Sequence, residues 1–242
     1  DIDLNASLIL PVNYNPAKKY PVFVNVYGGP GHNEVLDSWD GNDYFFHQLL
    51  AQEGYIVLSI DPRGTQYRGA DFKKSTYLQL GKLEIQDVLD ATRVFAQRPD
   101  VDASRLGIMG WSYGGFMSSL AMTKGNGLFK MGIAVAPVTN WRFYDNIYTE
   151  RFMRTPQENA KGYDDNSPIK VLNFNAVGGS TILVEDYNND KQLTLTVSAG
   201  LVPPVGATPW CARWPARWSR SCSSRYRPTS ACCGRCARCC RA

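Results

Sequence analysis

Ser112 stands in Gly110-Trp111-Ser112-Tyr113-Gly114, a Gly-x-Ser-x-Gly run in which the serine hydroxyl is the natural nucleophile. Between a strand and a helix such a run bends the serine into a tight turn, and the flanking glycines let backbone and helix approach without Cβ clashes. The hydroxyl then projects from the carboxyl edge of a sheet, where it can attack an acyl carbon if a base takes its proton and two donors hold the oxyanion. The Tyr113 backbone N–H, one residue past the serine, is one donor. A second is expected from the loop after an earlier strand, and the strand ending at Tyr27-Gly28-Gly29-Pro30 puts a phenol at that mouth. From residue type alone, Tyr27 reads equally well as an aromatic capping the sheet edge.

The base is harder to find. The chain has two histidines, His32 and His47, and both precede Ser112, whereas hydrolases with this elbow run Ser, then Asp or Glu, then His. His32, beside the Gly-Gly-Pro turn, reads as a loop residue; His47 reads as a satisfied or exposed histidine of the first helix. Neither is taken as the base. For the acid, Asp190 in Glu185-Asp186-Tyr187-Asn188-Asn189-Asp190 lies at a suitable remove from Ser112 and is a weak candidate, set against a solvated turn carboxylate.

These groups need a scaffold. Residues 4–11 read as an extended strand, and the β-branched run 21–27 as a buried one. Residues 44–53 read as a helix through Phe45, Phe46, Leu49 and Leu50, stopped by Gly54, with 55–60 the next buried strand. Residues 83–97 put Ile85, Val88, Leu89, Thr92, Val94 and Phe95 along a helical face. Residues 106–110 are then a short strand, 113–123 a helix and 131–137 another strand. Strand and helix in alternation imply parallel strands joined by crossovers, so the expected fold is α/β: a doubly wound, mainly parallel sheet, incomplete at its C-terminal side. Past Pro137 a Tyr- and Trp-rich loop, a polar helix at 156–162 and one more strand at 180–184 are expected.

Charge narrows the function further. The chain carries a formal +4, but eight of its 26 bases and none of its 22 acids lie beyond residue 207, so residues 1–207 hold 18 bases against 22 acids. A mildly acidic body offers no basic face to phosphates, and no nucleic-acid partner is expected. All seven cysteines also fall in the tail. Cys233-x-x-Cys236-x-x-Cys239 has formal metal-ligand spacing, but without Leu, Ile or Val the tail cannot pack around an ion. Residues 208–242 therefore read as a disordered or out-of-frame Arg/Cys-rich extension, and no metal is expected. No apolar run is long enough to span a bilayer.

Three segments together point further. Tyr77-Leu78-Gln79-Leu80-Gly81, the elbow extended to Gly115, and the run from Ala136-Pro137-Val138-Thr139-Asn140-Trp141 through Tyr144, Tyr148 and Arg151 to Met153 resemble the hydrolase domain of the dipeptidyl peptidase IV group within the prolyl oligopeptidase family. The resemblance runs from about residue 20 to 174. It implies a truncated α/β-hydrolase peptidase domain at 1–174, an uncertain segment at 175–207 and an unrelated tail from 208.

The resemblance also implies roles. Ser112 becomes the nucleophile of a serine-type dipeptidyl aminopeptidase, and Tyr27 with the Tyr113 amide the oxyanion donors. Tyr113, Val138, Trp141, Tyr144 and Tyr148 become the walls of a pocket for a proline ring. Flat apolar walls suit a ring that has no N–H to satisfy. Arg142 and Arg151 are expected in structural ion pairs. The implied substrate is a peptide with Pro or Ala at its second position, with no cofactor. Other implied features are a propeller domain missing before Asp1, a possible homodimer and a periplasmic or extracellular setting. Lacking the histidine, the chain itself is expected to be inactive. An esterase-like hydrolase and a non-catalytic binding module are the competing readings, since the elbow alone does not separate ester from amide substrates.

Overall fold

A computed structural model describes residues 2–39, 41–171 and 181–185. Six strands form one sheet: β1 (Asn5–Ile9), β2 (Tyr20–Asn25), β3 (Ile56–Asp61), β4 (Val101–Trp111), β5 (Met131–Val135) and β6 (Thr181–Glu185), in the spatial order β1-β3-β2-β4-β5-β6. β1 lies antiparallel to β3, and the other four pairings are parallel. Parallel neighbours cannot be joined by a tight hairpin, so helices cross between them. α1 (Gly41–Gln52) joins β2 to β3, α2 (Ala70–Lys74) and α3 (Leu83–Phe95) join β3 to β4, and α4 (Tyr113–Lys124) joins β4 to β5. Between β5 and β6 lie a 3-10 turn (Trp141–Phe143) and α5 (Asn146–Met153), α6 (Ala160–Asp165) and α7 (Pro168–Val171).

Strand alternation splits the side chains between two helix layers. Val22, Val24 and Val26 join the buried cluster with Ile85, Val88 and Leu89 of α3 and Phe116, Met117 and Leu120 of α4. Phe23 points the other way, and its ring meets Phe46 of α1 with centroids 5.8 Å apart. The sheet is therefore covered on both faces, as a doubly wound α/β-hydrolase arrangement requires.

Four sequence expectations change. In α1 the buried positions are His47 and Ala51, while Phe45 is 61% exposed in a surface aromatic group with Trp39 and Tyr44. Phe45 and Leu49 lie one turn apart, so the helical spacing holds, and it runs along the outer face. Val94 of α3 is 68% exposed, because two positions past Thr92 a helix has turned through about half a circle. The helix expected at 156–162 begins at Ala160, where the Asn159 side chain caps it by accepting from the Gly162 N–H at 3.2 Å. The aromatic loop holds α5, begun by Asp145 Oδ1 accepting from the Tyr148 N–H at 2.8 Å. Readings of residues 186–242, Asp190 and the cysteine spacing among them, lie outside the described residues.

Candidate active site

β4 ends at Trp111, and α4 begins at Tyr113. The residue between them, Ser112, takes φ 56° and ψ −111°, a left-handed backbone that L residues adopt only when the surroundings impose it. What imposes it is close packing. The Ser112 N–H donates to the Val135 carbonyl at 2.8 Å and the Ser112 carbonyl accepts from the Phe116 N–H at 3.0 Å, so the turn is tied to β5 on one side and α4 on the other. A Cβ on Gly114 would lie 2.1 Å from the Val26 carbonyl oxygen, and one on Gly110 would lie 2.3 Å from Gly114 backbone. Neither position can carry a side chain, so the two glycines of the motif are dictated by the crossing of β2, β4 and α4. Ser112 itself keeps partial exposure beside the exposed Trp111.

Tyr27 follows β2, the strand next to β4, and arrives beside the elbow. Burial pushes its phenol pKa up first, with Tyr144 and Glu34 adding to the effect, while the nearby Ser112 side chain pulls it down. A neutral phenol beside the elbow, its ring 6.0 Å from that of Tyr113, is the kind of donor that an anion formed at Ser112 requires. His32 lies against Tyr27, ring centroids 4.6 Å apart, and its Nε2 is 3.1 Å from Glu34 Oε1. It is a loop residue, as read, but one at the rim of the site. His47 is buried in α1.

The rings named from sequence do come together. Trp141 is fully buried; it meets Tyr113 at 5.5 Å and Tyr144 at 5.8 Å, and stacks on Tyr148 at 5.9 Å with 17° between planes. Tyr144 and Tyr148 meet edge to face at 5.5 Å. Val138 is buried in the same cluster. Tyr144 stays 42% exposed and Tyr148 half-buried, so the box is closed behind and open in front. Burial raises the Tyr148 pKa, with Tyr27 and Tyr144 adding to it, which keeps this wall uncharged. Arg142 pairs with Asp164 at 3.1 Å, as expected. For Arg151 the expectation fails: it lies exposed on α5, and no ion pair forms there among the described residues.

Two members of the site escaped the sequence reading. Phe116 closes the back of the box against both Tyr113 and Trp141, each at 5.2 Å. Glu84, fully buried in the first turn of α3, has its Oε1 2.7 Å from the Tyr113 hydroxyl, which donates to it. A signal was present: Glu84 shares the buried helical face of Val88 and Thr92, where an acid has no reason to be unless something binds it. Among the described residues no three His, Cys, Asp or Glu side chains gather where they could hold a metal, and no helix is long and apolar enough to cross a membrane.

The sequence profile of the prolyl oligopeptidase family matches residues 43–199, past the strand β6. The chain is 38% identical over 202 residues to the Aspergillus clavatus protein named "Probable dipeptidyl peptidase 4", covering 82% of this chain and 26% of that protein. It is 38% identical over 189 residues to the dipeptidyl peptidase 4 of Trichophyton equinum, covering 78% of this chain and 24% of the relative. The crystal structure of Porphyromonas gingivalis dipeptidyl peptidase 4 superposes with a TM-score of 0.70 at 45% identity, over 76% of this chain and 26% of that one. The chain thus spans about a quarter of the length of these relatives. With the profile matched over well over half its residues and the elbow set in an α/β-hydrolase sheet, this chain belongs to the prolyl oligopeptidase family of serine peptidases.

Proposed function

We propose that this chain is the nucleophile-bearing part of a dipeptidyl aminopeptidase that cleaves after proline or alanine. The observation that carries the reading is the strained Ser112 turn, with the Tyr27 ring beside the elbow and the cluster of Trp141, Tyr144 and Tyr148 packed against Tyr113. In this mechanism Ser112 Oγ attacks the carbonyl carbon of the second residue. The carbonyl oxygen, now an oxyanion, receives the Tyr27 O–H and the Tyr113 N–H, and the ring of that same proline residue lies among Val138, Trp141, Tyr144 and Tyr148. Those walls are apolar and aromatic, which suits proline and admits alanine, and none presents a charge to a substrate side chain.

The proton of Ser112 must go to a base, and neither histidine of this chain follows Ser112 in sequence. By itself the chain binds a prolyl ligand and does not turn it over. As part of the same proposal, the family resemblance adds a propeller domain preceding this part and a dimeric, periplasmic or extracellular setting for the whole protein. Residues 208–242 belong to no part of it; rereading the coding DNA in all frames past residue 174 tests whether they are out of frame.

Calorimetric titration of the pure chain with an aminoacyl pyrrolidide tests the pocket. Binding that weakens about tenfold or more in Tyr148→Ala is the expected result, and absence of binding by the folded chain removes the reading. An X-Pro anilide should be left intact; cleavage sensitive to a serine-directed inhibitor would overturn the claim of inactivity. Turnover of a short-chain ester with which X-Pro ligands fail to compete would favour an esterase.

A further inference from the structure

We propose that Glu84 is a positioning residue for the oxyanion donor: by accepting the Tyr113 hydroxyl it fixes the Tyr113 backbone N–H beside Ser112. The proposal rests on the peptidase reading of Ser112 and adds to it a group that never touches substrate.

The geometry gives Tyr113 three restraints. Its main chain is fixed by the elbow. Its ring lies directly against the turn that carries Tyr27, since a Cβ on Gly29 would fall 2.7 Å from the Tyr113 Cγ, and on its other sides it meets Phe116 and Trp141. Its hydroxyl, 2% exposed like the rest of the residue, donates to Glu84 Oε1 at 2.7 Å. One phenol therefore joins α3, the elbow and the Tyr27 turn.

Glu84 is itself anchored. The loop before α3 turns through Gly81, at φ 84°, and is pinned to the end of α5. The Leu78 N–H donates to the Phe152 carbonyl at 2.8 Å, and the Leu80 N–H to Met153 Sδ at 3.4 Å. The ring box on α5 and the carboxyl on α3 therefore share one frame, and a shift of Glu84 would be felt through Tyr113 at the oxyanion site.

A bond of this kind should leave a signature near neutrality. Burial pushes the Glu84 carboxyl up to about 7, against the nearby amides of Glu84 and Gly81 and the Tyr113 phenol, which pull it down. Asp87 on the same helix adds to the rise; Arg63, which pairs with Asp87, Lys124 at the end of α4 and Tyr148 on α5 are the other groups that feel its charge. On ionisation the Tyr113 bond becomes charge-assisted and shortens, and the Tyr113 amide moves with it.

The test labels tyrosine with 15N in the whole chain and identifies the Tyr113 amide by the cross-peak that Tyr113→Phe removes. Between pH 5.5 and 8.5 that peak should move in one step centred near 7. In Glu84→Gln, which keeps an acceptor but cannot titrate, it should hold the low-pH position throughout. Glu84→Leu should displace it at every pH and weaken an aminoacyl pyrrolidide about tenfold, with Glu84→Gln restoring both. A Tyr113 amide that stays still in the folded wild type, or that titrates equally in Glu84→Gln, overturns the proposal. If wild type fails to bind the pyrrolidide, the peptidase reading falls, while the amide titration still decides whether Glu84 holds Tyr113.

Discussion

The turns after β2 and β4 each present a tyrosine to Ser112 and treat it in opposite ways. Tyr27 keeps its hydroxyl toward the nucleophile, half-open to solvent, with His32 and Glu34 at the rim. Tyr113 turns its hydroxyl away into the core, where Glu84 takes it, and offers the site only its backbone N–H and one face of its ring. In the proposed mechanism one residue type thus serves once through its side chain and once through its main chain. Burial decides which: an open hydroxyl is free for chemistry, and a sealed one must be partnered and becomes part of the frame.

That contrast can be broken most sharply at the elbow. Gly114→Ala drives a methyl into the Val26 carbonyl and should cost above about 3 kcal/mol in chemical denaturation, the upper range for overpacking. A loss under about 1 kcal/mol would mean that the turn yields and the strain at Ser112 is not imposed by packing.

The pH dependence of stability comes next. Glu84 has a pKa of about 7 in the folded chain against an ordinary 4.5, so between those values the folded chain keeps a proton that the unfolded chain has lost. Stability should therefore fall as pH rises from about 4.5 to about 7, by on the order of 3 kcal/mol from this group, and level off above. Denaturation midpoints for Glu84→Gln should lose that slope.

The two tyrosines can then be compared directly by thermal unfolding. Tyr113→Phe leaves the Glu84 carboxyl buried with neither oxygen bonded by a side chain, and should cost about 1–3 kcal/mol. Tyr27→Phe removes a half-open hydroxyl that water can reach and should cost no more than about 1 kcal/mol. Equal losses would erase the distinction between site and frame. The smallest effect belongs to Val94→Ala on the outer face of α3, expected within about 0.5 kcal/mol by the same measurement.

Much of the site was legible in the sequence because its chemistry is local. A Gly-x-Ser-x-Gly run between a strand and a helix specifies its own bend, and the β-branched runs at 22–26 and 56–60 specify buried parallel strands whatever surrounds them. Apolar residues surround α1, so their spacing gives the helix but not its buried side, and only the position of the sheet selects His47 and Ala51 as the inner pair. α5 was read as loop for a similar reason. Apolar Ile147 interrupts its outward face and polar Thr149 its inward one, so over eight residues little alternation marks the helix, and its start depends on one Asp145 cap.

By itself the sequence determined the alternation of strands and helices through β5 and the bend at Ser112, because hydrophobic period and turn chemistry act over a few residues; the rings were named through a family resemblance. Only the tertiary structure decided that Tyr27 reaches Ser112 and that Glu84 grips Tyr113. Those partners stand 85 and 29 positions apart, and they meet only where neighbouring strands and the helix packed on them bring their ends together.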